Sequence, residues 1–248
     1  MAPLALTSRL LRARPRAAST TTLAAASFLL ALTGCATTPK PVKLARTIEP
    51  GPVQAVDVGL SMSAGTLQVN GGSCSLVQTD IEYDADRSDT RMRYSVREGR
   101  GELVIEERRS SRVGKRTPET RWSLCFGPET PLHMRVNVGA GNGALNVGQL
   151  DLRSLELDFG AGNAELDLRG DFRTNLRVEV AGGAGNISLR VPRNVGVRVQ
   201  ADKGVGNVTA PGFRREDGSY TNAAYGSTPR AIEIYVEVGV GNINIVES

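Results

Sequence analysis

The chain has 248 residues, with 30 Lys and Arg against 26 Asp and Glu, 28 glycines and 4% aromatic residues. Arg9, Arg12, Arg14 and Arg16 carry the whole positive excess within the first 34 residues, so the remainder holds 26 charges of each sign. A balanced chain has no field to steer it onto nucleic acid, and the shortage of aromatic bulk argues against a compact α/β enzyme.

Residues 1–34 read as a secretory leader: a basic start, then an apolar run from about Leu23 to Leu32 that is too short to span a bilayer. The run ends in Leu32-Thr33-Gly34-Cys35, which resembles the lipobox of bacterial lipoproteins, where the cysteine is acylated and becomes the mature N-terminus. Cys35 is therefore the expected lipidation site, and a membrane the expected partner through that lipid. Ala36 stands where an Asp would be the inner-membrane retention signal; by the same resemblance the expected location is the cell envelope, at the outer membrane if the cell has two. Residues 35–52, rich in proline, read as a tether.

From Val53 to Ser248 the dominant pattern is alternation, as in "VDVGLSM" (56–62), "MRYSV" (92–96) and "LVIEE" (103–107), and no stretch has a helical period. The expected fold is all-β, one domain over 53–248, irregular over 53–130 and regular over 131–248. The regularity comes from a phrase written five times: Gly139-x-Gly141-Asn142, Gly160-x-Gly162-Asn163, Gly183-x-Gly185-Asn186, Gly204-x-Gly206-Asn207 and Gly239-x-Gly241-Asn242. Alternating residues flank each copy, and successive second glycines are 21, 23, 21 and 35 residues apart, the last interval holding the insertion "EDGSYTNAAYGSTPR" (216–230).

Such a period, with two strands per repeat, predicts a β-solenoid in which each repeat makes one coil and equivalent residues stack about 4.8 Å apart. These fifteen Gly and Asn residues are the expected structural turns. Glycine tolerates φ > 0, and stacked asparagines can form an amide ladder. The chain order predicts the column Asn142, Asn163, Asn186, Asn207, with Asn242 beyond. A constant step of 21 places Arg135, Glu156, Arg177 and Arg198 in one outward column. "VDVGLSMSAGTLQV" and "YSVREGRGELVIE" copy the layout around Gly65 and Gly101, for about seven coils in all, with longer excursions near 84–89 and 108–120.

"VPRNVGVRV" with "GVGNVTAPGF", followed by "IEIYVEVGVGNINIVES", closely resembles the C-terminal domain of LiaF-type cell-envelope stress proteins. The chain over about 55–248 is similar to the related toast-rack and adhesin-type β-solenoid families. The resemblance implies a right-handed, extracytoplasmic β-solenoid and brings no catalytic motif with it.

Sharper motifs fare poorly. "VNVGAGNGA" (136–144) has a dinucleotide-type spacing but is followed by a strand, where pyrophosphate binding needs a helix N-terminus. "DADRSD" (84–89) begins like a calcium loop, yet Asp89 and Ser95 stand where the glycine and the bidentate Glu belong. His133 is the only histidine, so two-His metal sites are unavailable and any Ser-His-Asp triad would need it. No metal, cofactor or catalytic residue is expected. With Cys35 assigned to lipid, Cys74 and Cys125 form an even pair expected to be a disulfide in an exported protein. The expected function is a non-enzymatic, lipid-anchored role in adhesion, scaffolding or envelope structure, with envelope polysaccharide or protein as partner. A carbohydrate- or peptidoglycan-binding stress sensor is the alternative, and a polysaccharide-active enzyme the second.

Overall fold

The computed structural model describes residues 41–109 and 120–248. Cys35, the leader and the first part of the tether lie outside the described residues. The strands in chain order are β1 (Pro41–Ile48), β2 (Ala55–Gly71), β3 (Val77–Asp84), β4 (Ser88–Arg97), β5 (Arg100–Arg109), β6 (Thr120–Phe126), β7 (Leu132–Asn146) and β8 (Leu152–Asp167). They continue as β9 (Leu176–Ala184), β10 (Ile187–Val191), β11 (Gly196–Val205), β12 (Val208–Thr209), β13 (Arg214–Glu216), β14 (Ser219–Thr221), β15 (Ala231–Val240) and β16 (Ile243–Glu247). Every element among the described residues is a strand.

Seven coils stack through parallel ladders. In space they run β5–β6, β2, β7, β8, β9–β10, β15–β16 and β11–β12. Each coil has a first arm before the glycine corner and a second arm after it. Apolar side chains at every second position meet between the arms: Leu60, Val136, Leu157, Val180 and Val236 from the first, Leu67, Val69, Leu145, Leu166, Leu189 and Ile245 from the second, all buried. Each such side chain contributes roughly 1.5–3 kcal/mol on leaving water.

The stacking order differs from the chain order at both ends. β15–β16, last in the chain, slots between β9–β10 and β11–β12. β2, the first coil, lies between β5–β6 and β7. The 21-residue interval from Gly185 to Gly206 therefore spans two layers, not one.

Two further expectations are corrected. Part of the predicted tether, 41–48, is strand β1, antiparallel to β3 across eight residue pairs and packing Leu44 and Ile48 on the core; its alternation was hidden by the flanking prolines. Gly101 begins an arm opposite Val56 and marks no corner; the second arm of that coil begins at Thr120, opposite Gly65. The turn at 85–87 carries the chain from β3 in one arm to β4 in the other, so the two strands form no hairpin.

Candidate functional site

The corners are bends within continuous ladders: Gly141 pairs with Gly162, and Asn142 with Asn163. The two glycines of each phrase serve different ends. The second has φ between 131° and 151° in all five copies, a region L side chains rarely adopt. The first has no positive φ, but a Cβ there would press into a carbonyl oxygen of the next coil, as at Gly239 against Gly183, 2.6 Å away. The phrase is thus fixed by close backbone approach as much as by bending.

The asparagines form the ladder in spatial order. Asn163 Nδ2 donates to Asn142 Oδ1 (3.2 Å), Asn186 Nδ2 to Asn163 Oδ1 (3.1 Å) and Asn242 Nδ2 to Asn186 Oδ1 (3.0 Å). The Asn207 backbone N–H closes the row on Asn242 Oδ1 at 3.1 Å. Asn242 thus sits between Asn186 and Asn207, not beyond them.

In the coil of β5 and β6, Glu107 ties the adjacent corner to the start of the second arm. This side chain, 9% exposed, accepts from Ser63 N (2.8 Å), Ala64 N (3.4 Å) and Thr120 Oγ1 (2.9 Å). Nothing in the repeat announces this role. Nearby, Cys74 and Cys125 are bonded to each other with Cα atoms 6.1 Å apart.

The outward side of the first arms is charged. The predicted Arg135–Glu156 pair is present at 2.5 Å, but the column then continues through Glu179 and Tyr235. Two extra residues before β9 shift the register, so Arg177 stands opposite Ser154 and turns to Glu179 (2.6 Å) and to the Tyr235 ring (4.6 Å). A hollow of about 310 Å³ over Ala181 gathers Asp158, Glu179, Glu237 and Tyr235.

A second hollow, about 340 Å³ over Gly59, gathers Asp57, His133 and Ser154. These three are successive rungs of one column, a juxtaposition the register 57, 133, 154 already contains. His133 Nδ1 and Ser154 Oγ are 3.0 Å apart, so a proton can pass between them. The Asp57 carboxylate is committed instead to Arg100, whose Nη2 donates to Oδ1 at 2.7 Å and holds Asp57 below the usual carboxylate range. The surrounding strands spend their backbone N–H groups on ladder partners on both sides, leaving no oxyanion hole. The arrangement is an imidazole–hydroxyl pair without the rest of a hydrolase.

Among the described residues no group of three His, Cys, Asp or Glu side chains is placed to hold a metal. In "DADRSD", Asp84 Oδ1 accepts the Asp86 N–H (3.1 Å) and Oδ2 meets Arg87 Nε (3.2 Å), so the carboxylate is spent on its own turn.

The outward side of the second arms is different in kind. Its columns read Thr66, Asn142, Asn163, Asn186, Asn242, Asn207 and Gln68, Ala144, Glu165, Ser188, Asn244, Thr209. These two columns are rich in amides and hydroxyls; Arg121 stands opposite Thr66, and the next column carries Asp167 and Arg190 as neighbours.

The stack of parallel coils, helix-free among the described residues, defines a β-solenoid. The chain belongs to the toast-rack family: the family model described as the N-terminal domain of toast_rack, DUF2154, matches residues 38–190. A second, described as "Cell wall-active antibiotics response LiaF, C-terminal", matches residues 140–245. Among solved structures, a "putative cell adhesion protein" from Clostridium sporogenes is similar over 84% of this chain and 100% of its own, at 28% identity and a TM-score of 0.80. A "putative adhesin" from Bacteroides fragilis aligns over 84% and 98% of the two chains at 12% identity and a TM-score of 0.26. No curated protein matches the chain. The LiaF-type match associates the chain with the cell envelope.

Proposed function

We propose that this is a non-enzymatic envelope protein, held to a membrane by lipid on Cys35 and serving adhesion or envelope structure. The observation that carries the reading is the likeness, along the full length of the other chain, to the Clostridium sporogenes "putative cell adhesion protein". The leader and lipobox-like Leu32–Cys35 support the anchor, and Ala36 favours the outer membrane if the cell has two. Cys35→Ala should release the protein from the membrane fraction, because lipid chains are then its only firm attachment. Retention of the variant after a carbonate wash would overturn the anchor. Pull-downs from intact envelopes, comparing the lipidated chain with a secreted unlipidated form, test the adhesive role.

A second reading, a carbohydrate- or peptidoglycan-binding sensor of envelope stress, is favoured by the LiaF-type match over 140–245. Polysaccharide cleavage would need the His133–Ser154 pair or the acids near Ala181. Ser154→Ala and Glu237→Gln should leave any effect on glycans unchanged.

A further inference from the structure

The amide ladder has a chemical polarity. In Asn163 and Asn186, Oδ1 accepts two hydrogen bonds: Asn163 Oδ1 from the Asn186 backbone N–H (3.3 Å) and Nδ2 (3.1 Å), Asn186 Oδ1 from the corresponding groups of Asn242 (3.3 and 3.0 Å). Both lone pairs of each oxygen are used, while each Nδ2 spends one of its two hydrogens on the ladder. The exposed row therefore presents spare N–H donors at the ladder spacing of about 4.8 Å, all from the same edge of the amide.

Beside this row runs a groove of about 430 Å³, floored by Gly143, Ala144 and Ala164. Its walls are the Asn142, Asn163 and Asn186 row on one side and Gln68, Glu165 and Ser188 on the other. The depression exists because Ala144 is the one apolar, truncated position in its outward column. The groove runs along the solenoid axis, across the strands, so an occupant crosses successive coils. One wall donates hydrogen bonds and the other accepts them through the Glu165 carboxylate, the Gln68 amide oxygen and the Ser188 hydroxyl.

Charge selects among occupants. Glu165 lies 4.0 Å from Arg190, and Asp167 is bonded to Arg169, so the face is electrically balanced. It offers an anionic polymer no net attraction. A hydroxyl group both accepts from an amide N–H and donates to a carboxylate, and an extended β-linked sugar chain carries such groups along both edges at a repeat close to the strand spacing.

We infer that the second-arm face binds an uncharged, extended β-linked glycan strand of the cell's own envelope, lying along the solenoid axis in the groove over Ala144. This deepens the adhesive reading and rests on it.

The test is a titration of the ¹⁵N-labelled full-length chain, in detergent, with the β-1,4-linked tetramer of N-acetylglucosamine. The side-chain NH₂ signals of Asn142, Asn163 and Asn186 should shift, with a Kd of about 1 mM or tighter. Ala144→Arg fills the groove without touching the ladder and should abolish the shifts while the melting temperature stays unchanged. Ala181→Arg, on the charged face, should titrate as the wild type does. No shift at about ten times that concentration, or wild-type titration of Ala144→Arg, would overturn the inference. Envelope pull-down by the lipidated chain would survive that failure, so the two readings stand or fall separately.

Discussion

The coils between Leu132 and Glu247 and those between Ala55 and Phe126 share a core but are held by different means. In the regular coils the same contact recurs in every layer: glycine backbone against glycine backbone, asparagine amide on asparagine amide. In the early coils each layer has its own fastening, namely the Cys74–Cys125 bond, the Glu107 carboxylate and the antiparallel strands β1, β3 and β4. Repetition spreads stability over many small identical terms, whereas the irregular end concentrates it in a few groups that can be removed singly.

The largest effect should come from breaking the repeated contact itself. Gly162→Val adds a β-branched side chain at φ 133° and drives its Cβ into the Gly141 carbonyl. The cost should exceed about 4 kcal/mol, seen as loss of the cooperative melt by circular dichroism. A melt within error of wild type would show that the corner backbone can part.

Removing the disulfide should come next and should be local. It closes a loop of sequence separation 51, worth about 4 kcal/mol on the loop-closure model. Trp122, the only tryptophan, is buried in β6 near that bond, so its fluorescence reports the irregular end. The Cys74→Ser, Cys125→Ser double variant should lose the tryptophan signal at lower denaturant than the far-ultraviolet signal. Coincident transitions would mean that the two regions unfold as one. Two titratable thiols in unreduced, denatured protein would remove the bond from the account altogether.

Glu107→Ala leaves two backbone donors and the Thr120 hydroxyl without their acceptor and should cost about 2–3 kcal/mol. Glu107→Gln, which keeps one oxygen, should recover part of it. Equal melting temperatures for the two variants would deny the carboxylate its part in the corner.

The smallest effect is electrostatic and separates the regions least. Asp57, Glu156 and Asp167 are held below the ordinary carboxylate range chiefly by hydrogen bonds from Arg100, Arg135 and Arg169. Their folded pKa lies below the unfolded one, so the stabilisation is complete above about pH 5 and is lost as pH falls through the folded values. Asp167, with the most covered side chain of the three, should matter most. The drop in melting temperature from pH 6 to pH 3 should be smaller in Asp167→Asn than in wild type.

The period of the sequence carried the coil and the Arg135–Glu156 contact. It failed where spacing and adjacency part company. Arg177 left its expected column because the turn before β9 is two residues longer, which moves every later residue of that coil by one outward position. The exchange of the last two coils was invisible for a simpler reason: both carry Gly-Val-Gly-Asn, so either text fits either slot. The short link over 192–195 makes the skip, and the long insertion only brings the chain back. Glu107 was missed because it lies outside the repeated phrase. The His133–Ser154 contact, by contrast, needed only the 21-residue step already in hand.

The exchanged order also sets a schedule. When Gly196–Val205 emerges from a synthesising or exporting machine, the surface it will rest on, β15, has not yet been made. β11 and β12 must wait, unpaired on that side, until residues 231–247 thread into the vacancy beside β9 and β10. The stack can grow coil by coil only as far as β10. β11 can pair early with β14, but it joins the stack only once β15 is in place, and a chain cut short before residue 231 is left with two raw edges where the finished protein has a seam.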